Sequence, residues 1–388
     1  MVNIGISLLF WVSFTLLIWT YFGYPLLMYI WAKIAPIKRS ATDPIEPSVT
    51  ILIPTYNEID VIRRKIENSL ALEYPKDKLT IIIVDDDSND GTKEVIAEYE
   101  PDVILINKEV RSGKMQSVNI GMARADSDIV ILSDASPDYE PHSITALMSQ
   151  FRHPDIGVVV GTLAVWDEEK SVAKSAGLYW KYEAALRKWE SRTGNTVAVH
   201  GNMFAIRREL FRPMTGQTIN DEFSIAMEVI QQGYHVVYEP SAISYDHAST
   251  HMEDEFKRRV RINAGRYQAL FDAGYLSGMP TFDDTFRLFS HKLLRPLAPI
   301  LMILVLISNI LLVALVPNWL YAILLFGQFI FYDLALLGWI LSKRQIKIRV
   351  LNIFYFFVST NIAALFGFWR WMRGSQAVTW QKRTTVES

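Results

Sequence analysis

Residues 4–34, IGISLLFWVSFTLLIWTYFGYPLLMYIWAKI, carry no charge before Lys33. At about 1.5 Å of rise per residue, a helix of this length exceeds a hydrocarbon core of about 30 Å, so the chain is expected to begin with a membrane span. Tyr21, Tyr24, Tyr29 and Trp31 are available as interfacial anchors. A cleaved signal peptide is the competing reading. The run is too long for one, no basic residue precedes it, and no small-residue cleavage site follows. Three further apolar stretches, 297–316, 319–341 and 350–369, have the length and hydropathy of spans.

Charge sets the expected orientation. Cationic residues stay on the cytoplasmic side, so Lys33, Lys38 and Arg39 place the central residues in the cytosol. A turn at Val316-Pro317-Asn318 makes a hairpin of the second and third spans, and the basic Lys343, Arg344, Lys347 and Arg349 return to the cytosol. One more crossing would leave Arg370, Arg373, Lys382 and Arg383 outside, against the same rule. Either the last segment is re-entrant or the tail is external; Asn361, Gly367 and the pair Ala363-Ala364 point to close protein packing, which favours the first. The expected organisation is a membrane helix in 1–40, a cytosolic domain in 41–280, and an interfacial helix, three hydrophobic segments and a basic tail in 281–388. The chain is then a multi-pass integral protein of the cell membrane.

Lys plus Arg number 39 against 41 Asp plus Glu, so net charge offers no nucleic-acid partner. With no cysteine, disulfides, thiolate catalysis and cysteine-ligated metals are excluded.

Between 48 and 280 the pattern changes to apolar β-branched runs alternating with amphipathic stretches, which predicts an α/β fold with a mostly parallel sheet covered by helices on both faces. Strands are expected at 49–53, 79–84, 103–107, 129–133, 157–163 and 235–239, and helices at 58–70, 92–99, 114–125 and 143–151. Ligands of open α/β sheets bind beyond the carboxyl ends of the strands. Those ends read Pro54-Thr55-Tyr56-Asn57-Glu58, Asp85-Asp86-Asp87-Ser88-Asn89-Asp90-Gly91 and Asp134-Ala135-Ser136-Pro137-Asp138, so carboxylates gather at one edge.

Three consecutive aspartates after Ile81-Ile82-Ile83-Val84 repel one another unless a ligand or donor compensates them. Asp90 or Ser88 suits capping of the following helix, which leaves Asp85 and Asp86 for a base or ribose hydroxyls. Asp134 can hold a hard divalent cation bridging two phosphates, or simply bond its own turn. Arg111-Ser112-Gly113-Lys114 opens a helix where N–H groups and a lysine can meet phosphate, or is a solvated basic loop. Gly201-Asn202-Met203 suits close backbone approach to a substrate, or is an ordinary loop. Asn220-Asp221-Glu222-Phe223 begins an amphipathic helix, where the two acids either cap it or supply a general base. The cationic cluster Lys257, Arg258, Arg259, Arg261 and Arg266 meets phosphate or lipid headgroups. His247 and His251, without a third ligand, carry no metal reading, and Trp180, Tyr182 and Trp189 read as the packing face of a helix over 175–192.

Taken in order, these segments resemble the inverting family-2 glycosyltransferases of GT-A fold, especially membrane synthases of the hyaluronan, cellulose and poly-N-acetylglucosamine group. The likeness covers residues 48–270 and rests on VTILIPTYNE, VDDDSNDGT and RSGKMQSVNIG as an ordered set. It implies a Rossmann-like nucleotide-sugar domain in which Pro54, Thr55, Tyr56, Glu58, Asp85, Asp86, Lys114 and Asp134 bind the donor, with UDP as its nucleotide. It implies Mg²⁺ or Mn²⁺ on Asp134, Ser136 and Asp138, although Ser136 replaces an expected acid. Glu222, with Asp221 beside it, stands where the family carries its general base, while Gly201 and Asn202 face the acceptor. The stretch corresponding to the Gln-x-x-Arg-Trp motif of processive members is Arg258-Arg259-Val260-Arg261-Ile262, which keeps arginine and lacks glutamine and tryptophan. Arg258 and Arg261 remain suited to clamping a diphosphate. The expected activity is transfer of a sugar, from a donor such as UDP-GlcNAc or UDP-Glc, to a growing polysaccharide or a glycolipid acceptor. Single-sugar transfer to a polyprenyl-phosphate or other lipid, and an inactive nucleotide-binding membrane scaffold, are the alternatives.

Overall fold

The computed structural model describes residues 2–40, 43, 45–166, 171–247, 252–344, 346 and 348–377. His251, Lys347, Lys382 and Arg383 lie outside the described residues. Eight strands, β1 (Val49–Thr55), β2 (Leu79–Asp85), β3 (Ile104–Asn107), β4 (Ile129–Leu132), β5 (Asp138–Tyr139), β6 (Ile156–Trp166), β7 (Phe204–Arg207) and β8 (His235–His247), form one sheet in the order β3-β2-β1-β4-β7-β6-β8-β5. The helices are α1 (Val2–Ile18), α2 (Tyr24–Ile34), α3 (Ile59–Leu70), α4 (Thr92–Ala97), α5 (Lys114–Arg124), α6 (Ser143–Phe151), α7 (Ser171–Thr193), α8 (Asp221–Gln231), α9 (Met252–Tyr267), α10 (Phe282–Arg287), α11 (Leu294–Leu315), α12 (Trp319–Lys343) and α13 (Arg349–Met372).

The half of the sheet from β3 to β4 is parallel, as its continuous apolar runs predict. β7 then enters antiparallel to both β4 and β6, while β6 pairs parallel with β8, so the second half is mixed. Strand alternation divides the core: Leu52, Val84 and Leu132 pack with Met115 and Val118 of α5 and Ile225 of α8. Ile51, Ile53 and Ile83 face the other way, onto Ile62 of α3 and Leu147 of α6. Helices therefore cover both faces, and the carboxyl ends of β1, β2 and β4 open on one edge.

Four helices are long and apolar enough to cross a membrane: Asn3–Ile34, Phe282–Leu315, Trp319–Lys343 and Arg349–Met372. The first and second each contain a π-helical turn, Trp19–Gly23 and Leu288–Leu293. The second begins earlier than hydropathy places it because its first turns carry Arg287, His291 and Lys292, all buried. The imidazole of His291 is met from α7. His291 Nδ1 lies 2.7 Å from Glu190 Oε1 and its Nε2 lies 3.4 Å from Glu183 Oε2. Glu190 also accepts from Tyr24 Oη at 2.6 Å and Thr196 Oγ1 at 2.9 Å, and Arg295 pairs with Glu183. Burial opposes the charge on these two glutamates, but His291, and Arg295 at Glu183, outweigh it and hold both carboxyls below their ordinary values. The apolar side of α7 packs as expected on the first helix: Trp189 meets Tyr29, and Tyr182 Oη donates to the Tyr21 carbonyl.

The last helix does not stand apart from the domain. Phe366 packs edge-on against Phe256 of α9, and Trp371 Nε1 donates to Asp272 Oδ2 at 2.9 Å. A side chain at Gly367 would meet the Asn263 side chain and the Val260 carbonyl, so only glycine permits this approach. Asn361, Ala363 and Ala364 are buried, as a small-residue packing stretch requires.

Candidate functional site

The loops after β1 and β2 are stitched together by their own polar residues. Asn57 and Asp87 adopt left-handed backbone conformations. Ser88 Oγ accepts from the Asn57 N–H at 2.8 Å, Asn57 Oδ1 accepts from the Asn89 N–H at 2.9 Å, and Thr92 Oγ1 accepts from the Glu58 N–H at 2.9 Å. Asp90 accepts from the Thr92 and Ile59 N–H groups, the capping role open to it in the sequence.

Asp85 and Asp86 are both buried and have protein donors. The Ser88 N–H donates to Asp85 Oδ2 at 2.8 Å. Asp86 accepts from the Ser112 N–H at 2.9 Å and the Gly113 N–H at 2.8 Å, and it pairs with Lys108. The charge that β2 delivers is thus balanced by the Lys108–Gly113 segment, which Asp86 pins beside Thr55 and Tyr56. Arg111 stacks on the Tyr56 ring with its guanidinium carbon 3.6 Å from the centroid. Pro54 and Thr55 are buried at the end of β1, and Glu58 is half-buried.

Pinning this segment sets Lys114, the first residue of α5, in the centre of the edge. Its ammonium lies 2.9 Å from Asp134 Oδ1 beyond β4, 3.2 Å from Asp221 Oδ2 and 2.5 Å from Glu222 Oε1, the last two opening α8. Three carboxylates, one from the loop after β4 and two from the first turn of α8, therefore converge on one cation. Burial works against the Lys114 charge, but Asp134, Asp221 and Glu222 outweigh it and hold its pKa well above the ordinary value. For Glu222, burial and then the neighbouring Asp221 push the carboxyl up to about 8. For Asp221, Lys114 more than offsets burial, and Asp221 stays below the usual range, with Arg261 adding to the effect. The two acids thus separate into one ready to hold a proton and one kept ionised.

Gly201 lines this centre. Its carbonyl accepts from the Asp134 N–H at 3.2 Å, and a Cβ built on it would collide with the Glu222 carboxylate. Gly201→Ala is expected to lower stability by about 1–3 kcal/mol through overpacking. The drop would appear as a reduced unfolding temperature, and an unchanged one would show that Glu222 moves aside freely. Asn202 is held through its carbonyl by Tyr139 Oη at 2.8 Å and through its amide by Asp246 at 3.2 Å.

Ser136 and Asp138 stand apart from Lys114. Arg64 Nε bonds Asp138 Oδ1 at 3.1 Å, and Arg64 also donates to the Ser136 carbonyl. Among the described residues no three acids or histidines stand in metal-ligand geometry. The donor set around Lys114 is nonetheless hard carboxylate oxygen already gathered on a positive charge, and buried Asp221 Oδ2 has the Lys114 ammonium 3.2 Å away without a well-aligned hydrogen bond. That chemistry suits a divalent cation at Asp134. On α9, Arg258 bonds Glu255 at 2.8 Å, whereas Arg261 acts on Asp221. Sequence reasoning missed Lys108, the partner of Asp86. It is a lone residue of ordinary type, and nothing in its local pattern separates it from a surface position.

Residues 50–214 match the family model described as Glycosyl transferase family 2. A probable glycosyltransferase of Bacillus subtilis, YdaM, is 27% identical over 231 residues, covering 55% of this chain and 54% of that protein. A poly-beta-1,6-N-acetyl-D-glucosamine synthase of Staphylococcus aureus is 25% identical over 230 residues, covering 57% of this chain and 55% of that protein. The alignments thus span about half the length of these curated relatives. Among solved structures, the mannosyltransferase PcManGT from Pyrobaculum calidifontis, determined with GDP-Man and Mn²⁺, superposes with a TM-score of 0.67 at 22% identity. The match covers 92% of this chain and 99% of that one, and it shows a shared fold.

Proposed function

From the premise that residues 50–214 are a glycosyl transferase family 2 domain, we propose that the chain is a membrane glycosyltransferase. It moves a sugar from a nucleotide-sugar to the hydroxyl of a polysaccharide or lipid-linked acceptor with inversion at the anomeric carbon. The observation that carries this reading is the convergence of Asp134, Asp221 and Glu222 on Lys114 at the ligand-facing edge of the sheet.

The stacked Tyr56–Arg111 pair and the loop held by Asp85 and Asp86 form the nucleotide side, with Pro54, Thr55 and Glu58 at its base. UDP is the nucleotide we assign. Asp134 would hold Mg²⁺ or Mn²⁺, which would supply positive charge toward the donor phosphates. Lys114 gives up its contact with Glu222 as it meets phosphate. Glu222 then takes the proton of the acceptor hydroxyl while Asp221, kept ionised, orients it. Arg261, with Arg258 farther along α9, stabilises the departing diphosphate. Gly201 and Asn202 shape the acceptor side. The missing glutamine and tryptophan around Arg258–Ile262 favour one or few transfers over processive synthesis.

The four long apolar helices act as membrane spans or interfacial segments, with the domain in the cytosol. The contact of α13 with α9 and Asp272 supports a tail on the domain side, consistent with Arg370 and Arg373.

The test is a panel of nucleotide-sugars offered to the detergent-solubilised chain, reading released nucleoside diphosphate. One donor is expected to turn over, and Asp134→Ala to lower its rate by about 10²–10³-fold. Turnover of no donor refutes the transferase reading, and equal turnover by Asp134→Ala removes the metal assignment.

A further inference from the structure

Asp333 of α12 is the one charged side chain in the apolar stretches 3–32, 296–315, 320–342 and 350–369 of the four long helices. At about 1.5 Å of rise per residue it lies about 21 Å along the axis from Trp319 and about 15 Å from Lys343, so a bilayer crossed by α12 has this carboxylate near its middle. Asp333 is exposed, and among the described residues it makes no hydrogen bond or ion pair.

The opposite side of α12 is the one that packs within the chain. Tyr321 is buried against Phe10 of α1, Phe331 meets Phe354 and Phe357 of α13, and a Cβ at buried Gly338 would strike the Leu351 carbonyl. Asp333 instead shares a face with Ile323, Phe326, Ile330, Leu337 and Ile340, all exposed and spaced alternately by three and four residues. That spacing keeps one stripe turned toward a second helix crossing at a shallow angle, with Asp333 inside the stripe. Lipid would suffice for the five apolar side chains. It does not answer the carboxylate, which is costly in hydrocarbon unless a cation or donor meets it.

Charge decides what covers this face. A second copy of the chain would bring no Lys, Arg or His to that depth, since the four apolar stretches contain none, and a symmetric contact would set acid against acid. We propose that this face of α12 docks a membrane-spanning helix of another protein that carries an arginine or lysine at mid-depth. The cation pairs with Asp333, and the apolar side chains of that helix seat between those of the stripe. The docking requires that α12 cross the bilayer and is independent of the sugar-transfer chemistry.

The chain has no cysteine, so Leu336→Cys, beside the stripe, takes a single fluorophore on the full chain. In phosphatidylcholine vesicles it is titrated with two dye-bearing synthetic polyleucine helices, one with a central arginine and one without, and energy transfer is read. The arginine helix is expected to associate about tenfold more tightly. Asp333→Leu is expected to erase that preference and Asp333→Glu to keep it; because Asp333 bonds nothing within the chain, both variants keep the fold. Equal association of the two helices, or an undiminished preference in Asp333→Leu, overturns the proposal. Energy transfer between differently labelled copies of the chain that disappears in Asp333→Leu assigns the face to self-association and overturns the second-protein partner. Lipids spin-labelled near the ends of their acyl chains are expected to quench the fluorophore. Absence of quenching overturns the span reading and the docking together, whereas the other outcomes overturn the docking alone.

Discussion

Glu222→Gln is expected to lower the rate of sugar transfer by about 10²–10⁴-fold, the range general-base catalysis supplies. Glutamine preserves the length of the side chain and an oxygen to meet Lys114, so the loss reports the proton-accepting function rather than packing. The pH profile gives a second, independent reading. A base works in its ionised form, and burial beside Asp221 pushes Glu222 up to about 8, so kcat/KM should climb with pH through that region and level off above it. That limb should vanish in Glu222→Gln. Asp221→Asn distinguishes the two acids: Asp221 is held ionised, so its loss should weaken the rate without moving the limb. A Glu222→Gln variant that keeps the normal rate while Asp221→Asn collapses would transfer the base to Asp221.

Glu190→Ala is expected to destabilise the protein by about 3–5 kcal/mol, the cost of removing one partner from a buried ion pair. It strips the acceptor from Tyr24, Thr196 and His291 at once. Glu190→Gln, which keeps an oxygen and loses the charge, should cost less. The sign of the pH dependence follows from the lowered carboxyl. Its contribution is fully present above the ordinary value of 4.5 and is lost as pH falls through the lower value in the folded protein. Thermal unfolding in detergent from neutral to acid pH checks both. An unfolding temperature that ignores Glu190→Ala would mean that the network adds nothing to stability.

The parallel half of the sheet was legible because buried parallel strands are unbroken apolar runs, and 49–53, 79–84 and 129–133 lie within a residue or two of the observed strands. β5 and β7 were not, since strands of two and four residues give no measurable period. The sequence pattern of β8 ends at Glu239, where Pro240 interrupts it. The strand continues to His247 because a register shift against β6 absorbs the irregularity. At the site, the sequence gathers acids at strand ends because topology does so for any α/β sheet. It does not say which acids are spoken for. Asp86, expected to bind the donor, also accepts from the Ser112 and Gly113 N–H groups some way along the chain. The meeting of Lys114 with Glu222 joins residues 108 positions apart, and no local pattern carries that information.

The bond from Tyr24 to Glu190, continued to His291, also orders events during synthesis. Tyr24 emerges from the ribosome long before the residues that complete its surroundings, so the first long apolar helix is made while its final neighbours are still missing. The α/β domain cannot lock onto that helix until the second long apolar helix has been made, and a fragment cut away from either helix would expose a seam that is closed in the whole chain.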